Sequence, residues 1–300
     1  MSLARRSASK TRGGGWEDRR EAVIRESGNL AFRERPFFGA RDAGRSSHEP
    51  SRLGRLATAC RLQTTPPSLA SYFIVSVPRA AISWSGGKDS CAALHRTASR
   101  FDVVAMITMF DEECARSRSH GLRPEVIAGQ AARLGLRHVT GRCSWSTYDA
   151  AFGAALDDIA ADGITHVVFG DILFPEHRQW ANDICAPRRL TAVEPLFGSS
   201  TRDLFVDWVA SGAEAVIVTS RADRLDRSWL GRTLSIEMLA EFDRVGVDPC
   251  GENGEYHTVV TNSPLFGAPL RLDAGAAVLR SGCWALDVKV GVPEIRSSIV

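Results

Sequence analysis

Lysine is nearly missing from this chain: Lys10, Lys88 and Lys289 stand alone among 37 Lys and Arg residues. A lysine kept where arginine is the default suggests a task for a compact, flexible ammonium rather than for any positive charge. Paired cysteines are missing too. The seven (Cys60, Cys91, Cys114, Cys143, Cys185, Cys250, Cys283) are scattered and odd in number, with no C-x-x-C pair. That excludes a zinc-finger spacing and a disulfide framework, and with no signal-peptide pattern it leads us to expect a cytoplasmic setting. No apolar run approaches the ~20 residues of a membrane-spanning helix, so no membrane partner is expected. Internal repeats are absent. A basic surplus is absent from most of the chain: residues 1–78 hold 14 Lys and Arg against 7 Asp and Glu, the remainder 23 against 28. The body is mildly acidic, which argues against a large nucleic-acid footprint.

What is present divides at about residue 78. Residues 1–78 are rich in Arg, Ser and Gly and carry no sustained period, so they read as a disordered or mis-assigned N-terminal extension. With 44% apolar residues overall, the rest can bury a full core. From Ala80 onward strand and helix patterns alternate. Apolar runs at 80–84, 103–109 and 165–169 suit strands covered on both faces. Helical spacing at 122–134, a helix from Thr147 capped by Ser146, and another at 175–185 lie between or after them. This predicts a doubly wound parallel sheet over 79–196, with ligands beyond the carboxyl ends of the strands. Residues 197–300 read as a smaller α/β domain with a β-rich tail.

The strongest chemical signal lies where the first strand meets the first helix: Ser85, Gly86, Gly87, Lys88, Asp89 and Ser90. Two glycines allow a sharp turn and a close backbone approach, and the new helix points unpaired N–H groups at an anion. Lys88 adds a mobile charge at what reads as an exposed helix start. Asp89 could take a magnesium ion, and Ser85 and Ser90 offer hydroxyls. The spacing differs from the Walker pattern G-x-x-x-x-G-K-S/T. Gly170 and Asp171 end a later strand at the same predicted edge. A second polar stretch runs from Asp248 to Thr258, with Glu252, Asn253, Gly254, Glu255 and His257. By its residues it could be a hairpin turn with solvated acids. Equally, Glu252 and Glu255 could bind magnesium or take a proton from an amine, while His257 stabilises charge or holds a carboxylate.

The first loop resembles the PP-loop of ATP pyrophosphatases. Together with Gly170-Asp171, the Leu225–Arg232 segment and the G-E-N-G-E-Y-H-T loop at 251–258, it is similar to the diphthine–ammonia ligase family, over roughly residues 79–270. Ser119-His120-Gly121 also fits that pattern. The resemblance implies a Rossmann-like (HUP-type) nucleotide domain followed by a family-specific α/β domain. It also implies ATP-dependent adenylation of a carboxylate, with pyrophosphate released and ammonia displacing AMP. It places nucleotide binding on Ser85, Gly86, Gly87, Lys88, Asp89, Ser90, Gly170 and Asp171, and magnesium on Asp89 and Asp171. Catalysis falls to Lys88, Asp89, Glu252, Glu255 and His257. Partners would be ATP, ammonia and a carboxylic acid, protein-borne or small. The Arg- and Ala-heavy composition points to a GC-rich bacterial gene, in which that acid would differ from diphthine. The competing readings are a tRNA-modifying PP-loop enzyme and a non-catalytic ATP-binding module.

Overall fold

The chain is described here from a computed structural model, over residues 77–291. The expected extension at 1–78 lies outside the described residues except for its last two. Five short strands build the first sheet: β1 (Arg79–Ser83), β2 (Asp102–Phe110), β3 (Arg137–Arg142), β4 (His166–Val168) and β5 (Thr191–Val193). All pairings are parallel and the order is β3-β2-β1-β4-β5. The order reverses beside β1, so the crevice beyond its carboxyl end is where a ligand is expected.

Strand alternation explains why both faces are covered. Ala80 and Ile82 of β1, with Met106 and Phe110 of β2, pack on one side, and Ala81, Ala105, Ile107 and Met109 on the other. The first face receives α1 (Lys88–Thr97) and α2 (Pro124–Leu134); the second receives α3 (Tyr148–Ala161) and α4 (Pro175–Cys185). Proline opens α2 and α4 in their first turn, where its missing N–H is harmless. At α3 the expected cap fails. Thr147, not Ser146, is the N-cap, and its side chain instead accepts the Ser144 N–H at 3.0 Å.

The chain then forms α5 (Thr201–Ala210), β6 (Glu214–Arg221), α6 (Met238–Val245), β7 (Tyr256–Asn262), β8 (Leu272–Arg280) and β9 (Cys283–Val290). The four strands make an antiparallel sheet in the order β7-β6-β9-β8. Its buried residues Ile217, Tyr256 and Val259, with Phe242 of α6, belong to the same apolar cluster as Ile82, Met106 and Leu94. One core therefore runs from the first sheet into the second. Arg116 and Arg123 add a polar tie, both reaching Asp287 of β9, at 2.9 and 2.7 Å. No helix among the described residues is long and apolar enough to cross a membrane, and the cysteines among them are free.

Candidate active site

β1 delivers the glycine loop to the sheet's carboxyl edge. Gly86 turns with φ +89° and Gly87 is the N-cap of α1. Gly170, just past β4, faces the same turn: a Cβ there would stand 2.9 Å from the Ser90 nitrogen and 3.0 Å from the Asp89 carbonyl carbon. Any side chain at 170 would push β4 away from the start of α1.

The second sheet closes on this loop. Lys88 N–H donates to the Thr258 hydroxyl at 3.1 Å, and Val260 N–H donates to the Gly86 carbonyl at 2.9 Å. Lys88 is not exposed, as a bare helix start would be, but only 3% accessible. Its Nζ donates to both Asp89 carboxylate oxygens, at 2.9 and 2.8 Å, and to the Cys250 carbonyl. Burial opposes the ammonium most strongly of any one cause, yet Asp89, Tyr256 and Cys250 together outweigh it and hold Lys88 well above the ordinary lysine range. Burial likewise pushes Asp89 up against the pull of Lys88.

Of the expected catalytic set, Glu252 and His257 stand within electrostatic reach of Lys88, while Glu255 has a different task. Its carboxylate, 2% accessible as a residue, accepts the Asp248 N–H (3.3 Å), the Asn253 N–H (3.1 Å) and the Asn253 side-chain amide (3.1 Å). Asp248 in turn accepts from the Cys250 and Glu252 N–H groups and the Thr201 hydroxyl. These two acids shape the loop from within, which removes the solvated-turn reading for them. Burial, then the Asp89 charge, pushes Glu252 up to about 8. Burial, then Lys88, pulls His257 down to about 4. His257 is thus neutral near pH 7 and cannot hold a carboxylate as a cation.

His257 stacks on His120, with ring centroids 4.6 Å apart and planes at 29°. Nδ1 of His120 donates to the Thr258 carbonyl at 2.8 Å, since a carbonyl only accepts, which leaves Nε2 with a free lone pair. The His120 ring also covers Gly87: a Cβ there would come within 2.1 Å of it. Asp171 accepts from His177 Nδ1 at 2.9 Å. Among the described residues no three His, Cys, Asp or Glu side chains form a ready metal cage. Magnesium does not need one, since it binds through one or two carboxylates plus waters and substrate phosphates. Asp89 and Asp171, either side of the close contact at Gly170, fit that demand.

Family models for the diphthamide synthase N-terminal domain and the diphthamide synthase C-terminal domain match residues 78–191 and 200–290. The chain belongs to the diphthamide synthase family. Curated relatives agree. The diphthine–ammonia ligase of Rattus norvegicus is 29% identical over 230 residues, covering 68% of this chain and 86% of that protein. The Homo sapiens enzyme of the same name is 25% identical over 232 residues with the same coverage. A solved structure titled as a predicted subunit of tRNA methyltransferase from Methanocaldococcus jannaschii aligns with 62% of this chain and 98% of that one. Its TM-score is 0.34 and its identity 14%, too distant to bear on function.

In this diphthamide synthase family member, Gln130 was visible from the sequence only as one position on the inner face of α2. It is fully buried. Its side-chain oxygen accepts from the Trp84 indole at 2.8 Å, and its nitrogen donates to the Gly86 (3.0 Å) and Val260 (2.8 Å) carbonyls. One amide thus clamps the glycine loop to β7. A lone polar residue among Val126, Ile127 and Ala131 was the available signal.

The two displaced titrations make a testable pH signature. The unfolded chain loses the Glu252 proton near 4.5 while the folded protein keeps it to about 8. Stability therefore falls as pH rises across that interval. For His257 the unfolded chain gains a proton near 6.5 and the folded protein only near 4, so its effect has the opposite sign and ends at 6.5. Between pH 6.5 and 8 Glu252 dominates, helped by His177, whose pKa is raised by Asp171 against its burial. Urea melts of the unliganded protein should show stability declining from pH 6.5 to 8. Glu252→Gln should flatten that decline by about 1.4 kcal/mol per pH unit at most; an unchanged slope would show that Glu252 ionises normally.

Proposed function

We propose that the protein is an ATP-dependent carboxylate–ammonia ligase. It would adenylate a carboxylic acid with release of pyrophosphate, and ammonia would then displace AMP to leave an amide. The observation that carries this reading is the junction of the glycine loop with residues 248–258, through Lys88, Thr258 and Cys250. A module that only senses ATP would have no use for an acidic second loop held against its lysine.

Carboxylate activation builds negative charge on the α-phosphate and the departing pyrophosphate, so donors fixed in advance are the main resource. The Gly86 amide with the Ser85 and Ser90 hydroxyls would hold the phosphates, and the Lys88 ammonium would move to them from Asp89. Magnesium on Asp89 and Asp171 would neutralise the remaining charge. Glu252, protonated at neutral pH, can hydrogen-bond the acid substrate without repelling it. Neutral His257, backed by His120, offers a lone pair for a proton lost by the attacking nitrogen. The acid remains to be identified; diphthine is the one named for the relatives.

The test is AMP and pyrophosphate release with ATP, ammonium chloride and a panel of carboxylic acids that includes a diphthine-bearing peptide. We expect release that depends on both acid and ammonium, in equal amounts of the two products. ADP and phosphate as the products would overturn the reading.

A further inference from the structure

The segment that follows β2 carries Arg118 along the carboxyl edge of the first sheet. Its N–H donates to the Met109 carbonyl at 2.9 Å, and Ser117 beside it bridges back to Phe110. Two residues on is His120, whose ring covers Gly87, so this segment borders the glycine loop. The Arg118 guanidinium lies over the Trp145 ring, 4.0 Å from its centroid. Trp145 stacks on Tyr148, the first residue of α3, with centroids 5.9 Å apart. Tyr148 leans in turn on Phe152 and Trp180, at 5.9 Å each. The arginine thus rests on a wall of packed rings.

Its charge is unclaimed. Arg116 and Arg123, on either side in the chain, both pair with Asp287. Arg118 pairs with no carboxylate among the described residues. Its Nε is enclosed without a partner, whereas its two Nη groups have none and are not enclosed. The Tyr148 hydroxyl is open and unpaired in the same way. The carboxylates nearest to Tyr148 are held by others: Asp149 accepts from the Trp180 indole at 2.8 Å, and Asp171 from His177 at 2.9 Å. A guanidinium fixed on a ring with its Nη groups open is a ready fork for two oxygens of one anion.

Two sources of such oxygens meet at this edge, ATP and the acid. The phosphates already have the glycine loop and Lys88. Asp171 acts on Tyr148 on one side and on Asp89 on the other, which sets the arginine one place along the edge from that loop. The carboxylate to be adenylated has to lie at the loop itself. A second carboxylate on the same molecule would extend along the edge to Arg118.

We propose that Arg118, with the Tyr148 hydroxyl, holds a second carboxylate of the acid substrate, so that the class activated here is the dicarboxylic acids. This rests on the ligase reading and names the substrate class within it.

The full-length protein, in magnesium and α,β-methylene-ATP (an analogue that cannot release pyrophosphate), is titrated by calorimetry. The probes are the straight-chain dicarboxylates from succinate to pimelate, each against the monocarboxylate of equal carbon number. At least one dicarboxylate should bind about tenfold tighter than its counterpart, the lower end for one charge-assisted bond. Arg118→Gln should erase that preference and leave the affinity for the ATP analogue unchanged. Arg118→Lys, which keeps the charge but not the fork, should restore only part of it. Should Arg118→Gln fail to fold, Arg118→Lys and Tyr148→Phe decide, since each has to narrow the preference. No preference in the wild type, or an equal one in the variants, overturns the proposal. A loss of about tenfold in affinity for the ATP analogue in Arg118→Gln would assign the guanidinium to a phosphate and overturn it as well. A preference lost with Arg118, in a protein that forms no AMP from ATP and any of these acids, would sink the ligase reading instead, so the two failures are distinguishable.

Discussion

Lys88→Ala is expected to lower stability by about 3–5 kcal/mol, as removal of one partner from a buried ion pair does, and to abolish AMP formation. The truncated side chain strands the Asp89 carboxylate beside Glu252 and leaves the Cys250 carbonyl without its donor. From the loop alone lost activity with an intact fold is expected, since the helix start reads as exposed; its 3% accessibility reverses the part about the fold. Urea melts and a pyrophosphate assay check the two halves separately. Asp89→Ala in the Lys88→Ala background should recover part of the lost stability, because neither charge is then left alone. Lys88→Arg should restore little, since a planar fork cannot serve Asp89 and Cys250 from the same enclosed point. A Lys88→Ala protein within ~1 kcal/mol of wild type would show that the ammonium is not held as described.

Gln130→Leu should be nearly as damaging through different physics. Leucine matches the volume roughly but leaves the Trp84 indole N–H unpaired in the core and takes a donor from the Val260 and Gly86 carbonyls, of which Gly86 keeps the Val260 N–H. At about 1–3 kcal/mol for each orphaned group, the two that are left without this partner set an expected loss of about 2–4 kcal/mol. ATP affinity should fall as well, because Gly86 loses one of its two tethers. Gln130→Glu separates the effects: it can still accept from Trp84 but cannot donate to the two carbonyls. An ATP titration showing full affinity in a folded Gln130→Leu protein would sink the idea that this amide sets the loop.

The parts of the site that were legible from the chain are those where local chemistry is concentrated. Glycine, lysine and aspartate at 86–89 announce an anion loop, and the apolar runs at 80–84 and 103–109 announce buried parallel strands. What could not be read depends on residues far away in the chain. The burial of Lys88 is imposed by Cys250 and Thr258, more than 160 positions downstream. Glu255 looks like a free acid until Asp248 and Asn253 are seen to surround it. β5 is three residues long with only half-buried side chains at 192 and 193, too little pattern to mark a strand. The Gly170 contact shows why the residue is glycine, which the motif states without reason.

The bonds joining Gly86 to Val260 and Lys88 to Thr258 also bear on how such a chain can be inherited. A shuffled protein taking its first half from one relative and its second from another would keep the glycine loop in sequence. It would still present that loop to a foreign β7. Unless Gln130, His120 and residues 248–260 travelled with it, the hydroxyl, carbonyl and amide partners would be out of register. Recombination within this lineage should therefore respect a unit scattered along the chain, and hybrids joined between the two sheets should survive only among near kin.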